Sequence, residues 1–231
     1  MDTTRTTRPI PLYLTALVAF FSALAALAVA NGHDAMAHGG EPHHAVAAGG
    51  VSAKALALRQ DMRKLWEDHV TWTRLAIISL TTGTPDTEAT VGRLLRNQDD
   101  LGGAIAPFYG KAAGEALTRE LRSHILIAAD VIAAAKTGDA AALADAQARW
   151  TANADGIAAL LSSVNPRHWK LQTMKRELHM HLALTTDEVV ARLQGDWAGD
   201  VAAYDTVDVH MLHLADLLSA GIVAQFPKRF R

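Results

Sequence analysis

The chain has 231 residues, half of them hydrophobic, with a formal net charge of −2 and a pI near 6.6. That content is enough for a buried core, and it lacks the basic excess that binding to a phosphate backbone requires, so nucleic acid is set aside as a partner. There is no cysteine, which excludes disulfides, thiolate metal sites, lipobox acylation and c-type haem attachment.

Arg5 and Arg8 precede Leu12 to Ala30, nineteen residues without a charge, and small-residue sites follow at Ala28-Val29-Ala30 and Ala35-Met36-Ala37. This order reads as a secretory signal, and the apolar run is also long enough to span a bilayer. Residues 1–37 are therefore expected to be a signal peptide or a retained membrane anchor. Either way the arginines stay cytoplasmic and the body is extracytoplasmic, periplasmic or at the cell surface. Residues 38–53, rich in Gly and Ala, read as a flexible tether. His33, His38, His43 and His44 fall in or just before it at irregular spacing, a composition that can collect metals but has nothing to organise it.

From Ser52 onward the periodicity is helical and no period-two strand pattern occurs. Leu58, Met62, Leu65, His69, Trp72, Ala76 and Leu80 follow steps of three and four, the mark of one amphipathic face. Leu117, Leu121, His124, Ala128, Val131 and Ala135 do the same, as do Leu171, Met174, Leu178, His181 and Thr185.

His69, His124 and His181 each stand fourteen residues before a glycine, Gly83, Gly138 and Gly195. Each glycine suits the left-handed position that ends a helix, and Thr84, Asp139 or Asp196 follows as a candidate N-cap, with Pro85 at the favoured first position after Thr84. The second helices run toward Ala106-Pro107, Asn165-Pro166 and Phe226-Pro227, where proline breaks the pattern. The segments Arg119 to Asp130 and Arg176 to Asp187 share Arg-Glu-Leu, the His and the Asp in register. The reading is an all-α bundle of about six helices over 54–227, built from three αα-hairpin repeats at 54–109, 110–165 and 166–227, after an N-terminal signal or anchor helix.

Leu65-Trp66-Glu67-Asp68-His69, Pro107-Phe108-Tyr109-Gly110, Asn165-Pro166, His181-Leu182-Ala183-Leu184-Thr185 and Gln225-Phe226-Pro227 resemble the motifs of an uncharacterised family of bacterial all-helical proteins. The resemblance covers most of the body, excludes the tether and implies no activity.

The strongest chemical constellation is the histidine trio. On a helical wheel each lies near the centre of its apolar seam. If the hairpins pack about a common axis, three imidazoles can hold a divalent transition metal such as Zn, Cu or Fe, with His210 the candidate fourth ligand. Glu120 and Glu177, four residues before two of the rings, and Asn153, on the seam of its own helix, are the expected supporting residues. Asp100, Asp155 and Asp216 fall off their seams and read as surface or secondary-interface residues. Trp66, Trp72, Trp150, Trp169 and Trp197 read as core or interface fillers.

No nucleophile elbow, phosphate loop or His-Glu-x-x-His motif is present, so no catalytic residue can be named. The leading expectation is an exported bundle that binds a transition metal through core histidines, in metal handling or redox sensing. The alternative is a noncatalytic structural or interaction module whose core histidines are satisfied by hydrogen bonds. Membrane contact would come through the N-terminal segment, and a protein partner is compatible with both.

Overall fold

The computed structural model describes residues 51–231. The segment expected to be a signal or anchor, and His33, His38, His43 and His44 in or just before the expected tether, lie outside the described residues. Within them are six α-helices and no strand: α1 (Ala53–Thr82), α2 (Thr87–Tyr109), α3 (Lys111–Thr137), α4 (Ala140–Val164), α5 (Leu171–Gln194) and α6 (Trp197–Gln225), followed by a 3-10 turn at Pro227–Phe230.

The glycines end the first helix of each pair. Gly83, Gly138 and Gly195 have φ of 74°, 75° and 71°, a region that costs a side chain with a Cβ but not glycine. In each case the following residue's N–H reaches back into the last turn, as Asp139 N does to Ala134 O at 3.2 Å and Asp196 N to Ala191 O at 3.0 Å. Asp139 then caps α4 by accepting from Ala141 N and Ala142 N, and Asp196 caps α6 by accepting from Gly199 N.

Thr84 and Pro85 do not open α2, which starts two residues later at Thr87. Thr84 is drawn instead into a hydroxyl cluster in which Ser79 Oγ meets Thr84 Oγ1 at 2.7 Å, Asp86 Oδ1 at 2.9 Å and Thr87 Oγ1 at 2.8 Å. Pro107 is likewise no boundary, because α2 carries it in its last turn and ends at Gly110, φ 89°. There the aromatic packing of Phe108 and Tyr109 on Phe226 outweighs one missing N–H.

Each helix packs on its neighbours in sequence, and α6 returns to α1, closing a ring of alternating helices; α1 also touches α3 and α5. One large core cluster runs through the ring and includes Met62, Leu101, Leu121, Ile157, Trp169, Leu178, Met211 and Leu214. The helix α6 is long and apolar enough to cross a membrane by composition, yet Val207, Met211, Leu214, Leu218 and Ile222 are spent in this core. Of the two places expected for the tryptophans, core or interface, Trp197 does not take the first. It is 58% exposed, and its face is covered by the Arg192 guanidinium at 4.8 Å, so it contributes no core packing.

Candidate functional site

The hairpin geometry brings the same level of α1, α3 and α5 to the middle of the bundle. His69, His124 and His181 are 2%, 3% and 4% exposed, and the His181 ring lies between the other two, with centroids 5.9 Å from His69 and 5.9 Å from His124. Equal distance from the turn sets the level, and the apolar seam sets the direction.

Each ring has a polar neighbour at Nδ1. Asn153 Nδ2 donates to Glu120 O and to Glu120 Oε2, which leaves its Oδ1 to accept from His124 Nδ1 at 2.8 Å. His124 therefore carries its proton on Nδ1, and Nε2 accepts the indole N–H of Trp150 at 3.1 Å. Gln98 Nε2 donates to Leu94 O at 2.7 Å and Asn97 Oδ1 at 3.1 Å, and meets His69 Nδ1 at 3.3 Å. An amide nitrogen has two hydrogens, so three acceptors leave the longest contact, that to His69, the most easily exchanged. His181 Nδ1 meets Thr185 Oγ1 at 3.4 Å.

A second pattern recurs around the layer. The carbonyl oxygens of Leu65, Glu120 and Glu177, four residues before each histidine, accept from Asn97 Nδ2 at 3.0 Å, Asn153 Nδ2 at 3.1 Å and His210 Nε2 at 3.0 Å. In every hairpin a polar side chain of the second helix thus ties down the turn below the histidine. Asn97, which makes the tie in the first hairpin, stands fourteen residues after the hairpin glycine, whereas Gln98, Asn153 and His210 all stand fifteen after it. That offset was the signal that would have found Gln98, whose role the seam analysis missed.

The other named residues are placed as follows. Glu120 acts on His124 through Asn153, and its own carboxylate does not touch the ring among the described contacts. Glu177 pairs with Arg176 at 3.0 Å and supplies its carbonyl to His210. Asp155 joins α4 to α5 through Lys175 at 2.9 Å and His179 at 3.0 Å. Asp216 receives Arg59 and Arg63 at 2.7 and 2.6 Å, and Asp100 is exposed.

Burial decides the charge of the trio. Desolvation, with the repulsion of His124 added, lowers the His69 pKa to about 4, and desolvation lowers that of His124 to about 4 against the opposing bond to Asn153. His181 is pushed well below the usual imidazole range by desolvation and by His124, His69 and His210 around it. The layer is three neutral imidazoles at pH 7.

Neutral imidazoles are the form that ligates metal, but three rings sharing an ion at about 2.0 to 2.1 Å would bring their donor nitrogens within about 3.3 Å of one another. Among the described residues no group of three or more His, Asp or Glu side chains is arranged to hold an ion. The physical reason is the set of partners above: His124 Nε2 is taken by Trp150, and His69 Nδ1 faces an amide donor. Comparison with family models, curated proteins and solved structures finds no match to this chain.

Proposed function

We propose that the bundle is an extracytoplasmic, noncatalytic binding module that takes up a transition metal at His69, His124 and His181, serving metal handling or redox sensing. The single observation that carries the reading is the meeting of three neutral, fully buried histidines from three separate hairpins. A core needs no such layer for stability, since leucines would fill it at lower desolvation cost.

Ligation through Nε2 requires two exchanges. Gln98 turns its amide so that Oε1, a buried atom without a hydrogen-bond partner, accepts from His69 Nδ1, and Trp150 releases His124 Nε2. Asn153 already holds His124 in the matching tautomer, the role that outer partners play for metal-bound histidines. His210 is engaged with the Glu177 carbonyl and is not required as a fourth ligand. The N-terminal segment would supply the membrane address.

A second reading is favoured by one specific contact, the Trp150 bond to His124 Nε2. In it the histidines are permanent hydrogen-bonding members of a structural or interaction module. The experiment that separates the two uses the full chain with His33, His38, His43 and His44 replaced by alanine, titrated with Co(II) and Zn(II). The metal reading expects one equivalent bound, with Co(II) d–d bands of nitrogen ligation, lost in His124→Ala. Stoichiometry unchanged in His124→Ala, or no binding by a folded chain, leaves the second reading.

A further inference from the structure

The three helices that carry the histidines continue in register above them. Four residues on they bring Thr73, Ala128 and Thr185, and four further on Ile77, Ile132 and Val189. These two layers line a partly open cavity of about 40 Å³, with Trp150 in its wall and the half-buried Leu80, Val91 and Ala129 at its margin. Ile77, Ile132 and Val189 pack together with Leu80 and Leu193 to close its far end. Trp150 is the same residue whose N–H rests on His124, so the cavity is separated from the histidine layer by one turn of helix and one indole.

The polarity of this chamber is uneven. Its far end is aliphatic, and its sides are aliphatic apart from the Trp150 indole and Thr186, whose hydroxyl is donated to Leu182 O. Its floor holds the Thr185 hydroxyl, which meets His181 Nδ1 at 3.4 Å, and the Thr73 hydroxyl, which is buried and has no hydrogen-bond partner. A cavity needs about 10 to 15 Å³ of free space to hold a water molecule, which also needs two to four polar partners. The chamber has the room but offers one unpaired hydroxyl, a poor host for water and a better one for something uncharged.

We propose that this chamber binds a small neutral molecule of two or three heavy atoms, apolar in body, of the size class of dioxygen or nitric oxide, against the histidine layer. The lone Thr73 hydroxyl gives the ligand one hydrogen-bonding end, and Trp150 couples its presence to His124. The site goes beyond the metal reading and does not depend on it, because the chamber is formed by side chains that are not ligands.

The test uses the EDTA-treated full chain and two probes, xenon and dissolved dioxygen. Xenon is expected to occupy one saturable site, seen by xenon NMR, and dioxygen to broaden the methyl resonances of Ile77, Ala128 and Ile132 selectively. Ala128→Leu fills the chamber and is expected to weaken xenon binding at least tenfold, while Ile77→Ala enlarges it and strengthens binding, so that a folding failure in one variant leaves the other to decide. Absence of a saturable xenon site in the native chain overturns the proposal. So does dioxygen broadening spread evenly over all methyls, or xenon affinity unmoved by both variants. Xenon uptake without cobalt uptake would sink the metal reading alone, and the reverse would sink the chamber alone.

Discussion

The indole N–H of Trp150 on α4 donates to Nε2 of His124 on α3 at 3.1 Å, inside the core. With Nδ1 bonded to Asn153, this ring has both nitrogens satisfied. Trp150→Phe keeps an aromatic ring but leaves Nε2 without its donor, and an unsatisfied buried acceptor costs about 1 to 3 kcal/mol. Urea denaturation is expected to show a loss in that range. The donated bond also favours neutral His124, so an NMR titration should show its pKa less depressed in the variant. An unchanged midpoint and titration would mean that the indole bond contributes nothing in solution. Under the metal reading the same variant binds Co(II) more tightly, because a competitor for the lone pair is gone.

The trio makes stability acid-sensitive. Burial pushes His69 and His124 down to about 4 in the folded chain and His181 well below its ordinary value, whereas all three titrate near the ordinary imidazole value of about 6.5 when unfolded. Below about 6.5 the unfolded chain binds the extra protons, so stability present above that pH is lost as pH falls toward 4, at up to about 1.4 kcal/mol per pH unit for each histidine. Melting temperatures between pH 7.5 and 4.5 should fall steeply in the native chain and less steeply in His181→Leu. Parallel slopes would show that the layer does not carry the acid response.

Much of this was legible because the turn glycines and the apolar seams are local signals. Spacing from Gly83, Gly138 and Gly195 set the level of the three histidines and the seams their inward direction, but whether the rings meet depends on how the hairpins pack, which no local signal carries. The start of α2 was not legible, because Ser79, Thr84, Asp86 and Thr87 share hydroxyl contacts across the turn that no capping rule anticipates. That Trp197 lies outside the core was not legible, since its position near a helix start says nothing of Arg192, whose guanidinium lies over its ring from the other side of the hairpin. The partner of His69 was missed for a related reason: Gln98 reaches across from α2, and only comparison of offsets among all three hairpins would have singled it out.

Glu188 responds to pH in the opposite sense. It is 1% exposed and pairs with Arg74 at 2.8 Å, while Asp200 binds both Arg74 and Arg192. Burial outweighs the arginine and raises the Glu188 pKa to about 7. The folded chain then holds a proton that the unfolded chain has released above about 4.5, so this contribution is present at low pH and is lost as pH rises through 7. Glu188→Gln keeps an acceptor for Arg74 and removes the titration. Relative to wild type the variant is expected to gain stability between pH 5 and 8, measured by paired urea melts at each pH. A constant difference would show that Glu188 stays ionised throughout.

Two glycines face each other where α2 crosses α3. A Cβ added at Gly102 on α2 would lie 2.6 Å from the carbonyl oxygen of Gly114 on α3, and one at Gly114 would lie 2.6 Å from that of Gly102. Neither oxygen is the end of a flexible side chain, so the helices themselves must separate. Gly102→Ala gains helix propensity of about 1 kcal/mol in principle, but overpacking of about 1 to 3 kcal/mol opposes it. Because the Gly114 carbonyl obstructs the new Cβ along with the Thr118 hydroxyl, and backbone cannot rotate away as a side chain can, the clash wins and a net loss is expected by urea denaturation. Gly103→Ala, one residue on and with nothing near its Cβ, gains stability by the propensity alone. A pair of variants that shift together in either direction would place the close approach elsewhere. Opposite shifts would locate it at the crossing of α2 and α3, one turn from the Gln98 that holds His69.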